Sequence, residues 1–92
     1  MLESKIQAKV IAEAKKQGFL VLKTIKCNIT GYPDITLFKE GKTLFIEVKN
    51  EIGKQSEIQK YVQKLIEAQG FKYYIVRSLE EFKEILSTIE IN

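Results

Sequence analysis

Asp34, Glu47 and Lys49 are two carboxylates and an ammonium that come together if the chain between them folds back on itself. Ile35 to Phe38 and Thr43 to Val48 are short β-rich runs, with Lys39-Glu40-Gly41-Lys42 between them as turn material. Taking Glu40-Gly41 as a two-residue turn predicts antiparallel pairs Ile35–Ile46, Leu37–Leu44, Thr36–Phe45 and Phe38–Thr43. The same register sets Asp34 opposite Glu47 with Cβ atoms about 4.5–5.5 Å apart, and like charges at that separation destabilise a sheet. A compensating positive charge is therefore expected. Lys49 is one source, because it lies two residues beyond Glu47 and shares its face of the strand. A divalent metal is the other, since hard cations such as Mg²⁺ are held by one or two carboxylates plus waters and phosphate oxygens. Taken alone, the three charges also fit a solvated ladder on an exposed sheet face, the commoner arrangement.

The surrounding residues favour the metal. Pro33 stands directly before Asp34, and the full pattern is Gly31, Pro33, Asp34, a hairpin, then Glu47-Val48-Lys49 and a downstream Gln59. In this the sequence resembles the PD-(D/E)XK nucleases and, within them, the compact VRR-NUC domains, over about residues 3 to 80. The resemblance implies a metal-dependent nuclease with Mg²⁺ or Mn²⁺ held by Asp34, Glu47 and the backbone carbonyl of Val48. It makes Gln59 a group that orients Lys49 or the attacking water, and Glu3, on the first helix, a further acid near the metal. It also implies branched DNA such as a four-way junction as substrate, and a homodimer. Lys49 is expected to orient or activate the water and to stabilise the pentacovalent phosphorus. Lys5, Lys9, Lys54 and Lys60 are candidates for phosphate contacts, and the Tyr32 ring for stacking on a base or sugar.

Two of these residues have an ordinary explanation as well. Ser56-x-x-Gln59 is a capping box, in which the Gln side chain returns to the backbone of the cap residue. Glu3 lies in a first helical turn, where an acid is favourable against the helix dipole. Tyr32 equally suits a rim position covering the sheet edge.

The elements that must position these groups follow from the pattern of apolar residues. Leu2, Ile6, Val10, Ile11 and Ala14 recur at helical spacing and Gly18 follows as a stop. Phe19 to Lys26 reads as a strand, and the hairpin supplies the next two. Ser56 opens a second helix with Ile58, Val62, Leu65 and Ile66 expected to face the core, closed by Gly70. Lys72 to Val76 is a fourth strand, parallel to the third because a helix intervenes. Ser78-x-x-Glu81 caps a third helix that carries Leu79, Phe82, Ile85, Leu86 and Ile89 inward. The expected architecture is α/β, order αβββαβα, a four-stranded mixed sheet flanked by helices in one domain over residues 1–92. That is the PD-(D/E)XK, restriction-endonuclease-like order.

Composition narrows the chemistry further. The chain has no histidine, which excludes Ser-His-Asp and Cys-His catalysis and histidine-ligated metal nucleases. Cys27 is the single cysteine, expected as a half-buried strand residue; it permits no intrachain disulfide and suits a reducing cytoplasm. No apolar run reaches the length of a signal peptide or membrane span, so an intracellular protein is expected. The net charge of +3 permits nucleic-acid binding without requiring it. The rival to the enzyme is a non-catalytic module that grips DNA or docks within a replication, repair or restriction complex.

Overall fold

Glu40 and Gly41 both adopt positive φ, 50° and 80°, as a type I′ turn demands. The hairpin they close has the predicted register, Ile35 to Ile46 through Lys39 to Lys42. The computed structural model describes residues 1–89. Its elements are α1 (Glu3–Lys16), β1 (Leu20–Lys23), β2 (Ile35–Lys39), β3 (Lys42–Val48), α2 (Glu57–Ala68), β4 (Lys72–Val76) and α3 (Leu79–Thr88). The sheet runs β1-β2-β3-β4, with the first two pairings antiparallel and β3 to β4 parallel. The order αβββαβα and the mixed four-stranded sheet are as expected.

Alternation along the strands divides the sheet into two unlike faces. Ile35, Leu37, Leu44, Ile46 and Val48 join Ile6, Val10 and Ala14 of α1, Val76 of β4 and Phe82 of α3 in the core. The opposite face carries Thr36, Phe38, Phe45 and Glu47, and α2 is its only helical cover among the described residues, lying towards β4. Over β1 and β2 this second face stays open, so that Leu20 is 69% and Leu22 52% exposed.

That asymmetry corrects several expectations. On α2 only Val62 is buried, whereas Ile58 and Leu65 are exposed, because a helix seated over an edge strand has neighbours on one side alone. On α3 the expected stripe does face inward: Phe82 is fully buried, and Leu79, Ile85, Leu86 and Ile89 pack half-buried against the core. The first strand ends at Lys23, short of the predicted Lys26, and Cys27 is exposed in the following loop, its thiol near the Ile29 carbonyl. Glu81 does not complete a capping box: Ser78 accepts from Glu81 N–H as expected, but the Glu81 carboxylate turns to the Arg77 N–H at 2.8 Å.

Two loops hold the ends of β2 and β3. Gly31 has φ of +84°, and a Cβ there would lie 3.2 Å from the backbone of Ile58 and Gln59, so the chain entering β2 is packed against the first turn of α2. After β3, the Arg77 guanidinium donates to the carbonyls of Asn50 at 2.7 Å and Gly53 at 2.6 Å. The Asn50 side chain accepts from the N–H groups of Ile52 and Gly53 within the same loop.

A candidate metal centre at the open face

Glu47 is the decisive residue. A glutamate near the end of a core strand is 1% exposed, a placement that requires compensation for the desolvated charge. One carboxylate oxygen, Oε1, accepts from the Tyr73 hydroxyl at 2.5 Å and from Gln55 Nε2 at 2.9 Å. The other, Oε2, is buried without any hydrogen bond, and the Lys49 ammonium stands 3.7 Å from it. That oxygen is left with only the ion pair to Lys49, and it could serve as a donor to a cation.

Asp34 sits one residue before β2, on the face that alternation gives to Glu47. Its Oδ2 accepts the Val48 N–H at 2.7 Å, a bond that bridges to β3 just past the last rung of the ladder. Burial is the main cause raising the Asp34 carboxyl above its ordinary 3.8; the Val48 N–H and Lys49 oppose this, while the charges of Glu47 and Glu3 add to it. Glu3 reaches over the end of the sheet from α1, and its Oε2 accepts the Asn50 N–H at 3.3 Å. Asp34, Glu47, Lys49 and Glu3 thus share one electrostatic neighbourhood. Tyr73 belongs to it too: burial and then the hydrogen bond to Glu47 push its phenol well above the usual tyrosine range.

The sign of the Asp34 shift makes a prediction. An acid whose folded pKa is raised holds its proton longer in the native state than in the unfolded one. Stability of the metal-free protein therefore falls as pH climbs through the interval just above 3.8, and the penalty stays in full at neutral pH. Asp34→Asn keeps an oxygen to accept from Val48 N–H and removes the charge. Thermal melts in EDTA should show a higher midpoint for the variant at neutral pH and no gain below the unfolded-state pKa. An equal gain at every pH would contradict the electrostatic account.

The remaining predicted residues are scattered. Gln59 is engaged in the full capping box, its Oε1 accepting Ser56 N–H at 2.9 Å and its N–H donating to Ser56 Oγ at 3.2 Å. The glutamine that touches Glu47 is Gln55, four residues earlier, which sequence reasoning missed, as it missed Tyr73. Tyr32 is half-buried with its ring edge-on to Phe45 at 6.1 Å between centroids. Lys5, Lys9, Lys54 and Lys60 are all exposed, and Lys60 pairs with Glu57 at 3.4 Å. Lys9 lines a hollow with Ile6, Glu51 and Arg77, away from the open sheet face. Among the described residues, no three Asp, Glu, His or Cys side chains converge as a ready-made metal cage. Asp34 and Glu47 are the two carboxylates here that could hold a hard cation, with waters completing its shell.

No protein-family model and no curated protein sequence matches the chain. Solved structures do. One, described as a VRR_NUC domain, superposes with a TM-score of 0.86 at 22% identity, covering 96% of this chain and 97% of the other. A second, a VRR_NUC domain protein, gives 0.79 at 18% identity over 97% and 88%. The chain has the VRR-NUC fold. At such identities the likeness concerns the path of the backbone. Within the VRR-NUC fold, Gly31, Pro33 and Asp34 lead into the hairpin and Glu47-Val48-Lys49 end its second strand, the places their spacing suggested. No helix among the described residues is long and apolar enough to cross a membrane.

Proposed function

We propose that the chain is a metal-dependent endonuclease that hydrolyses DNA phosphodiester bonds. The observation that carries this reading is the Glu47 carboxylate, buried at the open face with one oxygen unpartnered and an ammonium 3.7 Å away. Asp34 and Glu47 would hold Mg²⁺ or Mn²⁺, with the Val48 carbonyl as a third donor and Glu3 as an acid close by. When bound, such a cation neutralises phosphoryl oxygens and lowers the pKa of water.

The residues of the chain do the rest. Lys49 holds its ammonium beside Glu47, where it can orient a water and meet the negative charge that develops on phosphorus. The open face over β1 and β2 admits a phosphodiester backbone, and the exposed lysines of its surroundings supply non-specific attraction. Branched DNA, four-way junctions above all, is the proposed substrate class, because a protein that reads backbone chooses by shape. A two-strand cut needs two such sites, supplied by a homodimer that leaves the open face free for DNA.

The test is cleavage of a panel of junctions, flaps and linear duplexes in Mg²⁺, Mn²⁺ and EDTA, with solution mass by light scattering. Cleavage confined to metal-containing reactions and favouring branched substrates supports the proposal. Metal-independent DNA binding without cleavage would instead make the chain a binding module, and a monomeric mass would remove the dimer.

A further inference from the structure

We propose that Tyr73 and Gln55 form a clamp that fixes the Glu47 carboxylate, holding Oε1 so that Oε2 alone is presented to a divalent cation. The proposal rests on Asp34 and Glu47 being metal ligands, and it assigns positioning roles to two residues that make no contact with substrate.

The geometry is specific. A carboxylate has two equivalent oxygens until something distinguishes them. Here the Tyr73 hydroxyl, at 2.5 Å, and the Gln55 amide, at 2.9 Å, both donate to the same one. Neither reaches Oε2, which is buried and without a hydrogen bond. An ionised carboxylate only accepts, so Tyr73 is the donor, and the phenol is itself held in place because its ring is buried in β4 beside β3. Gln55 is fixed from its other side: the same Nε2 donates to Gln63 Oε1 of α2 at 2.8 Å. Gln63 in turn donates to Glu67 at 3.3 Å. The carboxylate is therefore braced by a strand, a loop and a helix at once, and its rotamer is set before any cation arrives.

Pre-setting matters for the ion in question. Mg²⁺ demands near-octahedral geometry, while Ca²⁺ accepts irregular oxygen shells. Groups that orient a metal ligand typically change affinity by about 10–100-fold when removed. Tyr73→Phe deletes one hydroxyl and keeps the ring; Gln55→Ala removes the second donor from a half-buried loop position. Each should weaken Mn²⁺ binding to DNA-free protein by about tenfold, read by calorimetry or electron paramagnetic resonance. Ca²⁺ binding should fall less. The double variant should lose less than the product of the two single losses, because both donors act on one oxygen.

The outcomes separate the clamp from the centre it serves. If the native chain takes up no Mn²⁺, with or without a DNA duplex, the metal centre falls and the clamp with it. If the native chain binds and Glu47→Gln does not, while folded Tyr73→Phe and Gln55→Ala both bind as tightly as native, only the clamp is overturned. Equal losses for Mn²⁺ and Ca²⁺ would also overturn it, since general loosening of the core makes no distinction between ions. Should Tyr73→Phe fail to fold, Gln55→Ala decides alone.

Discussion

Glu47→Gln should cleave DNA at least about 10³-fold more slowly than the native chain while folding as well or better. A cation held by carboxylates contributes several kcal/mol to transition-state charge stabilisation, and about 1.36 kcal/mol corresponds to each decade of rate. The stability half of the expectation comes from the same side chain. Glu47 is 1% exposed and its Oε2 has no hydrogen bond. Leaving a buried acceptor unsatisfied costs about 1–3 kcal/mol, more when the group is charged. Glutamine keeps an oxygen for Tyr73 and Gln55 and removes the charge, and Asp34 remains as a counter-charge for the Lys49 ammonium, so the variant's melting midpoint in EDTA should equal or exceed the native one. Added Mn²⁺ should then reverse the order, stabilising the native chain and not the variant. Cleavage that survives the substitution would mean that a contaminant or another site does the chemistry. A variant that melts far below native in EDTA would mean that Glu47 is there for the fold.

Much of this site can be read from the sequence because local rules fix it. The two-residue turn at Glu40-Gly41 determines the hairpin register, and the register determines that Asp34 and Glu47 share a face. Caps are equally local: Ser56 and Gln59 form the box their spacing predicts. Gln59 shows where such reading stops. Its amide fits two roles, and hydrogen-bond reach within the helix decides for the cap, while Gln55 outside the helix is the one that meets Glu47. Tyr73 was beyond reach for a related reason. The pairing of β3 with β4 is set by how α2 packs, so no turn in the sequence announces that Phe45 lies against Tyr73 or that the phenol extends to Glu47. Arg77 is similar, since its role depends on loop carbonyls that carry no side-chain signature. The stripe on α2 misled because amphipathicity reports an apolar face without saying what covers it; Ile58 and Leu65 lie on a face that this chain alone leaves open.

Lys49 should behave as the opposite of Glu47 in stability and its equal in activity. Its ammonium lies 3.7 Å from Glu47 Oε2, with the Lys49 side chain 14% exposed and that of Glu47 1%. Removing one partner of a buried pair leaves the other charge uncompensated, at a cost of about 3–5 kcal/mol. Lys49→Ala should therefore melt well below the native chain in EDTA, by about 15–25 °C for a domain of this size. Cleavage should fall by about 10²–10⁴-fold, the usual contribution of a group that handles a proton or orients the nucleophile. Lys49→Arg should not restore it, because a planar guanidinium fork does not reproduce a compact ammonium on the same stem. The double variant Glu47→Gln with Lys49→Ala separates the two roles. With the acid neutral, the lost ammonium no longer strands a charge, so much of the stability should return while cleavage stays absent. If the double variant is as unstable as Lys49→Ala alone, the lysine stem supports the fold by packing, and the ion pair is not what couples β3 to the chemistry of the open face.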